Sequence, residues 1–150
     1  MIYIAYGSNM NTDQMAHRCP DAKLLGTGKL LGYRLSFYVH ATVERSRTKG
    51  SYVPVAVWEI TQADEERLDR YEGFPNYYTK EERPIQMIKG TRVKGIVYIM
   101  KLKRCGLPTG QYYHGILSAY HELGLHAEIE KVLNPSVRRA LPRDNSTSRR

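Results

Sequence analysis

Short stretches of the chain place β-branched or aromatic residues at every second position, a period that is typical of β-strands with one buried face. In residues 52–60, for example, Val53, Val55 and Val57 alternate with other side chains. Comparable stretches predict further strands over residues 2–6, 24–35, 35–39, 41–44, 77–88 and 91–100.

Glycines mark one of these predicted strands as unusual. Residues 24–35 contain Gly26, Gly28 and Gly32 between apolar residues. Because glycine inside a strand often accompanies a bulge or a sharp bend, we expect this stretch to be a bent strand in a strongly curved sheet.

Helical spacing appears between and after the predicted strands. Thr61 followed by Asp64 has the pattern of a capped helix start, apolar positions then recur at helical spacing, and Gly73 follows the last turn. This helix is predicted to end at Glu72. The other predicted helices run from Asn11 or Thr12 to His17, over residues 112–123, and over residues 128–133.

The order of these elements predicts an α+β fold with a small, curved or barrel-like mixed sheet. At 150 residues the chain has the length of one domain. We place this domain at residues 1–135. Residues 136–150 are expected to form a mobile basic tail, because they are rich in Arg and Ser and lack apolar periodicity.

The net charge of +8 raises the question of a nucleic-acid partner, because basic surfaces attract phosphate. From Arg138 to Arg150, however, five Arg against one Asp supply half of that charge. The rest of the chain is only mildly basic. A nucleic acid is therefore not the expected partner, and contact of the tail with RNA or phosphate is the alternative.

The sequence also bears on the cellular compartment. Its apolar runs are far shorter than the roughly 20 residues that cross a bilayer, and the N-terminus lacks the pattern of a signal peptide. We therefore expect a cytoplasmic protein without membrane contact. In the reducing cytosol, Cys19 and Cys105 are expected to be free thiols.

The motifs of several common catalytic sites are missing from the sequence. The five His and two Cys lack the spacing of metal ligands, and no nucleophile elbow, P-loop or dinucleotide-binding glycine motif occurs. The sequence therefore predicts no metal, no cofactor and no covalent nucleophile.

Two features remain as candidates for chemistry, and the first is the turn Tyr6-Gly7-Ser8-Asn9 after the first strand. Successive backbone N–H groups in such a turn can bind an anion, helped by the positive end of a helix that begins nearby. The alternative is an ordinary turn without a ligand.

The second feature is Glu72, in the last turn of its predicted helix. A carboxylate there faces the negative end of the helix dipole, which is unfavourable. If Glu72 lies in a pocket beside Tyr71, Phe74 and Tyr77, desolvation would raise its pKa towards neutrality, where a carboxyl group can both accept and donate a proton. The alternative is an exposed Glu on a polar helix.

Seven short motifs, taken together, resemble the gamma-glutamylcyclotransferase family over Met1 to about Pro135. Each motif alone is weak, and their order and spacing make the resemblance specific. They are Tyr6-Gly7-Ser8-Asn9-Met10, Arg18-Cys19-Pro20, Gly32-Tyr33-Arg34-Leu35-Ser36-Phe37, Val55-Ala56-Val57-Trp58-Glu59, Leu68-Asp69-Arg70-Tyr71-Glu72-Gly73, Pro108-Thr109 with Tyr112, and Glu122-Leu123-Gly124-Leu125.

The resemblance implies a barrel-like sheet of five to six strands with flanking α-helices, and a metal-independent enzyme that acts on a small γ-glutamyl substrate. In this reaction the α-amine of a γ-glutamyl amide attacks its own γ-carbonyl, which forms 5-oxoproline and releases an amine. Glu72 would be the general acid and base. The residues implied to bind the substrate are Tyr6, Gly7, Ser8, Asn9, Tyr78, Tyr98 and Tyr112, with Tyr77 as an alternative to Tyr78.

One position departs from the family pattern. Some branches of the family carry Arg two residues after the first pocket tyrosine, whereas this chain has Lys80. The resemblance therefore does not assign this chain to those branches. The sequence leaves open whether the leaving group is an amino acid, glutathione, a free amine or a carrier, and whether the protein is a monomer or a homodimer.

Two other functions stay open as alternatives. The first is a noncatalytic module that binds γ-glutamyl compounds or small anions and uses its basic tail to reach an acidic or RNA partner. The second is a hydrolase or amidotransferase in which Glu72 activates water, and free glutamate in place of 5-oxoproline would identify it.

Overall fold

The structure is a computed structural model and describes residues 1–141. Five of its strands close into a barrel in the order β1-β5-β2-β6-β7, and the other two pair in a separate sheet. The predicted fold class, α+β with a barrel-like mixed sheet, is therefore confirmed. The strands are β1 (Ile2–Ala5), β2 (Lys23–Leu31), β3 (Tyr33–Tyr38), β4 (His40–Arg45), β5 (Tyr52–Glu59), β6 (Tyr78–Met87) and β7 (Arg92–Met100).

Helices precede, interrupt and follow the strands in sequence. They are α1 (Thr12–Arg18), α2 (Gln62–Glu72), α3 (Gly110–Glu122), α4 (His126–Glu128) and α5 (Asn134–Arg139), with a π-helical segment, Ile129–Leu133, before α5. Within residues 1–141, none of these helices has the length and apolarity needed to cross a membrane.

The bounds of α2 follow from its capping residues. Thr61 Oγ1 accepts the N–H of Asp64 at 3.1 Å, and Asp64 Oδ2 accepts the N–H of Thr61 at 3.1 Å. At the other end, Gly73 adopts the left-handed conformation, with φ of 65°, which suits glycine and ends the helix. The predicted start, and the predicted end at Glu72, are both confirmed.

The barrel closes through two narrow seams. Strand β1 meets β7 at one parallel pair, Tyr3 with Ile96, while β2 meets β6 at a short antiparallel pairing that includes Gly28 opposite Met87. Longer antiparallel ladders join the remaining neighbours. Closure therefore depends on close backbone approach at these two places.

Glycine permits the close approach at each seam. A Cβ added to Gly28 would lie 2.7 Å from the carbonyl oxygen of Gln86, and one added to Gly95 would lie 2.7 Å from Cγ2 of Ile2. Both distances are shorter than atoms of these types tolerate. A larger side chain at position 28 would press on the backbone of β6, and one at position 95 would displace the side chains of Ile2 and Ile4.

The predicted strand over residues 24–35 is wrong in one respect. A register shift between Leu24 and Gly26 does bend β2 as expected, but the strand ends at Leu31. Gly32, with φ of 80°, then turns the chain into β3, which pairs with β4 instead of the barrel. Two strands therefore occupy the stretch that was predicted as one.

The expected boundary after residue 135 falls inside a helix. Helix α5 runs from Asn134 to Arg139, Ser136 is fully buried, and the Arg139 guanidinium donates to the carbonyl of Leu35 at 2.8 Å. These contacts make the first residues of the predicted tail part of the packed structure. Residues 142–150 lie outside the described residues, so the mobility expected for them stays a prediction.

Gly28→Ala is expected to lower the free energy of unfolding by about 1–3 kcal/mol, because its methyl group would overlap the backbone of β6. Urea denaturation measures the change. Gly115→Ala is the matched control, since a Cβ there meets no atom within 4 Å and lies in α3, where alanine should stabilise by about 0.4–1 kcal/mol. Equal stability of Gly28→Ala and the wild type would contradict the role given to this seam.

Candidate active site

A cavity of about 240 Å³ lies where β1 and α2 end and where β4 and β6 begin. Its size suits a small ligand, since sites for drug-sized molecules start at about 300 Å³. The residues that line it are Tyr3, Ile4, Tyr6, Gly7, Ser8, Asn9, His40, Ala41, Tyr71, Glu72, Tyr78, Tyr98 and Tyr112.

The turn after β1 presents backbone N–H groups at this cavity. Its first internal hydrogen bond is donated by Met10 N–H to the carbonyl of Gly7 at 3.0 Å. The N–H groups of Gly7, Ser8 and Asn9 precede that bond and donate to no acceptor within residues 1–141. Three consecutive free donors form a concavity that favours an oxyanion or carboxylate.

The side chain of Asn9 holds this turn in place and does not face outward. Its Nδ2 donates to the hydroxyl of Tyr3 at 3.0 Å, and its Oδ1 accepts from Arg18. Its carbonyl accepts from Trp58 Nε1 at 3.1 Å. Because the amide is buried and engaged on both sides, the free donor that Asn9 offers a ligand is its backbone N–H.

Glu72 lies in the same cavity at the C-terminal end of α2 and is partly buried. Burial raises the pKa of its carboxyl group to about 7, although the positive charge of Arg18 acts in the opposite direction. Its carboxylate accepts no hydrogen bond from the described residues, so both oxygens are available to a ligand. A carboxyl group with this pKa can take up and release a proton near neutral pH.

Arg18 joins the turn to α2. Its guanidinium donates to Ser8 Oγ at 3.1 Å and to Asn9 Oδ1, and it stacks 3.4 Å above the ring of Tyr71. The stacking places a positive charge beside the residue that precedes Glu72. In the sequence Arg18 stands out only as part of a short motif, because the residues that it contacts in the turn and in α2 are not its neighbours in the chain.

Tyr78 and Tyr112 both bind the backbone of Ala41, at the start of β4. The Tyr78 hydroxyl donates to the Ala41 carbonyl at 3.0 Å, and the Tyr112 hydroxyl accepts the Ala41 N–H at 3.1 Å. Tyr78 therefore keeps a free lone pair, and Tyr112 keeps a free proton to donate. Burial raises the pKa of both hydroxyls, so both stay protonated.

Tyr6 and Tyr98 line the cavity with their rings, but their hydroxyls are bound to the protein. Tyr6 donates to the carbonyl of Tyr98 at 2.6 Å, and Tyr98 donates to Asp69 Oδ1 at 2.6 Å. The two tyrosines thus tie β1 to β7 and β7 to α2. Their hydroxyls are less available to a ligand than those of Tyr78 and Tyr112.

The structure brings all eight predicted site residues into one cavity, although their binding and catalytic roles stay predictions. Of the aromatic residues expected around Glu72, Tyr71 lines the cavity, whereas Tyr77 is 60% exposed on the outer surface. Tyr78 is thus the tyrosine of that pair that reaches the site. Four further lining residues were not predicted from the sequence: Tyr3, Ile4, His40 and Ala41.

Lys80, the position noted above as a departure from the pattern, does not line the cavity. Its Nζ binds Glu65 at 2.8 Å and Asp69 at 2.9 Å, and it lies 4.4 Å from the centre of the Phe74 ring. These contacts fasten β6 to α2. Among residues 1–141, no three His, Cys, Asp or Glu side chains come together as a possible metal site.

The fold and the cavity define a class of protein: a small closed barrel with a carboxylate and a cradle of N–H groups at one end. Residues 3–115 match the model of the family described as gamma-glutamyl cyclotransferase, AIG2-like. Because this match covers most of the chain, the protein belongs to that family.

Individual relatives agree with this assignment. A bovine gamma-glutamylcyclotransferase is 26% identical over 144 residues, which cover 89% of this chain and 77% of the relative. A solved structure of a gamma-glutamyl cyclotransferase superposes with a TM-score of 0.80 at 25% identity, covering 96% of this chain and 89% of the other. An uncharacterized human protein shares the fold, with a TM-score of 0.78 at 24% identity and coverage of 95% and 89%.

The raised pKa of Glu72 predicts that Glu72→Gln stabilises the protein at high pH. Unfolded Glu72 loses its proton near its ordinary value of 4.5, while the folded state keeps the proton up to about 7. The free energy of unfolding of the wild type should therefore fall as pH rises between these values, relative to the variant, by on the order of 1–3 kcal/mol.

Urea denaturation of both proteins at pH 5 and pH 8 measures this difference. Glu66→Gln, which removes an exposed carboxylate from the same helix, is the control. A gap between the wild type and Glu72→Gln that does not change with pH would show that Glu72 is not desolvated in the folded protein.

Proposed function

We propose that the protein is a cyclotransferase that converts a γ-glutamyl amide into 5-oxoproline and a free amine. The observation behind this proposal is that Glu72, with a pKa near 7, shares a small cavity with the three free N–H groups of residues 7–9. Family membership supports the same reaction.

The two ends of a γ-glutamyl group match the donors and acceptors of the cavity. Its α-carboxylate or its γ-carbonyl would accept hydrogen bonds from the N–H groups of Gly7, Ser8 and Asn9. The free proton of Tyr112 offers a further donor, and the free lone pair of Tyr78 an acceptor for the α-ammonium. A Cβ at position 7 would lie 3.3 Å from the Tyr112 hydroxyl oxygen, so glycine leaves this space less crowded than a larger residue would.

The proposed reaction needs one proton carrier. Glu72 takes a proton from the α-ammonium, and the freed amine nitrogen attacks the γ-carbonyl carbon to close a five-membered ring. The N–H groups stabilise the oxyanion of the tetrahedral intermediate. When the oxyanion collapses, the bond from carbon to the leaving nitrogen breaks as Glu72 returns its proton to that nitrogen. The regenerated carboxylate then takes the second proton from the ring nitrogen and passes it to the released amine, which departs as an ammonium ion.

This scheme explains why the sequence has no nucleophile motif. The attacking group belongs to the substrate, so the protein has to hold amine and carbonyl in contact and move two protons from the attacking nitrogen to the leaving nitrogen. Correct positioning of two reacting groups can by itself contribute about 7–11 kcal/mol to lowering the barrier. Independence of metals and a cytoplasmic location belong to the same proposal.

Purified protein incubated with γ-glutamyl amino acids is expected to release 5-oxoproline, measured by chromatography, with or without EDTA. Glu72→Gln should lower kcat/KM by about 10²–10⁴-fold because it removes the proton carrier. Glu66→Gln is the matched control on the same helix, and circular dichroism checks that both variants are folded. Undiminished turnover by Glu72→Gln would refute the role of Glu72, and free glutamate as the product would indicate a hydrolase.

The pH profile tests the electrostatic environment of Glu72. As the base, Glu72 must be deprotonated, so kcat/KM of the wild type should rise with pH through about 7. Arg18→Gln removes the positive charge that lowers the pKa of Glu72, and the rising limb should therefore move to higher pH. A limb that stays in place or moves to lower pH in this variant would contradict the assignment.

A further inference from the structure

A second depression, of about 670 Å³, adjoins the cavity on the outer surface of the barrel. The two share His40, which lines both. We call this depression the basic groove, and it is formed by the turn between β3 and β4, by Tyr77 and by residues 101–104.

The charges of the groove are of one sign. Lys101, Lys103 and Arg104 line it, and its lining contains no carboxylate. Lys103 is paired with Glu44 at 2.8 Å, but Lys101 binds only the carbonyl of Pro75 at 3.1 Å. In residues 1–141, Arg104 has no acidic partner. Two exposed positive charges in the groove are therefore not compensated by the protein.

The wall of the groove next to the cavity is held in a fixed conformation. Val39 has φ of 66°, which is rare for a β-branched residue, and its N–H donates to the carbonyl of Gly106 at 2.9 Å. A Cβ on Gly106 would lie 2.8 Å from Cγ2 of Val39. The turn that presents His40 is thus anchored to the segment that carries the lysines. Strained backbone of this kind is concentrated at functional sites.

The first residue of the segment 101–104 is held in place as well. Lys101 N–H donates to the carbonyl of Tyr77 at 2.8 Å, directly before Tyr78 enters the cavity. Tyr77 is exposed by 60% and offers its ring to the groove. A ligand that extends from the cavity past His40 would meet an aromatic ring and then the two uncompensated cations.

We propose that the basic groove binds the leaving half of the substrate, and that this half carries a carboxylate at its far end. The inference rests on the proposed cyclotransferase activity and adds a preference for acidic γ-glutamyl peptides over neutral γ-glutamyl amines. A carboxylate beside Lys101 and Arg104 gains charge-assisted hydrogen bonds that a neutral group does not.

A different depression borders the cavity on the side of α1 and is the competing exit. It shares Ser8, His40 and Tyr112 with the cavity and contains both Asp13 and Arg18. Because its lining carries charges of both signs, it offers an anionic group less net attraction than the basic groove does. The two exits therefore predict different responses to the charge of the leaving group.

The test compares γ-glutamyl-glycylglycine with its C-terminal amide, two compounds that differ at their far end by one negative charge. In the wild type, kcat/KM for the acid should exceed that for the amide by about tenfold, mainly through KM. The double variant Lys101→Gln, Arg104→Gln should bring this ratio close to one. The matched control, Lys89→Gln with Arg92→Gln, removes the same charge at the opposite end of the β6–β7 hairpin and should keep the ratio.

The outcomes separate the two proposals. Turnover of both compounds with equal kcat/KM in the wild type, or a ratio that the double variant leaves unchanged, would overturn the assignment of the groove and leave the cyclotransferase activity standing. Absence of 5-oxoproline from every γ-glutamyl compound would overturn the proposed function and the groove with it. If the control variant also brought the ratio of kcat/KM for acid and amide close to one, the preference would reflect net charge. That result too would overturn the assignment of the groove.

Discussion

Asn9 is buried in the turn after β1, and three hydrogen bonds, to Tyr3, Arg18 and Trp58, satisfy its side chain and carbonyl. A buried amide without these partners would be costly, so the turn can adopt its conformation only against a finished barrel. The same bonds hold the turn, whose residues Gly7, Ser8 and Asn9 line the cavity, in place. The position of the site therefore depends on the packing of strands that are distant in sequence.

Burial also sets the pKa of Glu72. The end of α2 is the less favourable end of a helix for a carboxylate, and the aromatic wall of the cavity removes part of the water that would stabilise its charge. Arg18 offsets some of this cost without forming an ion pair with Glu72, because its guanidinium is engaged by Ser8, Asn9 and Tyr71. The pKa of the Glu72 carboxyl group therefore stays near 7, and its oxygens remain free for a ligand.

Two depressions meet at His40: the small cavity, called here the closed part, and the larger basic groove, called the open part. The closed part is lined by tyrosines whose hydroxyls are mostly engaged, and it has room for a small polar head group. The open part is exposed and positively charged. A substrate that bridges the two would be recognised by shape and hydrogen bonds at one end and by charge at the other.

The sequence by itself determined those features that depend on near neighbours. The capping residues Thr61 and Gly73 fixed the bounds of α2, and the order and spacing of the seven short motifs indicated the family. Tertiary structure decided the rest: the end of β2 at Leu31, the packing of α5 into what looked like tail, and the choice of Tyr78 over Tyr77. The physical reason is that burial, hydrogen-bond partners and charge at a site come from residues far apart in the chain. Local sequence patterns do not record which of these residues meet.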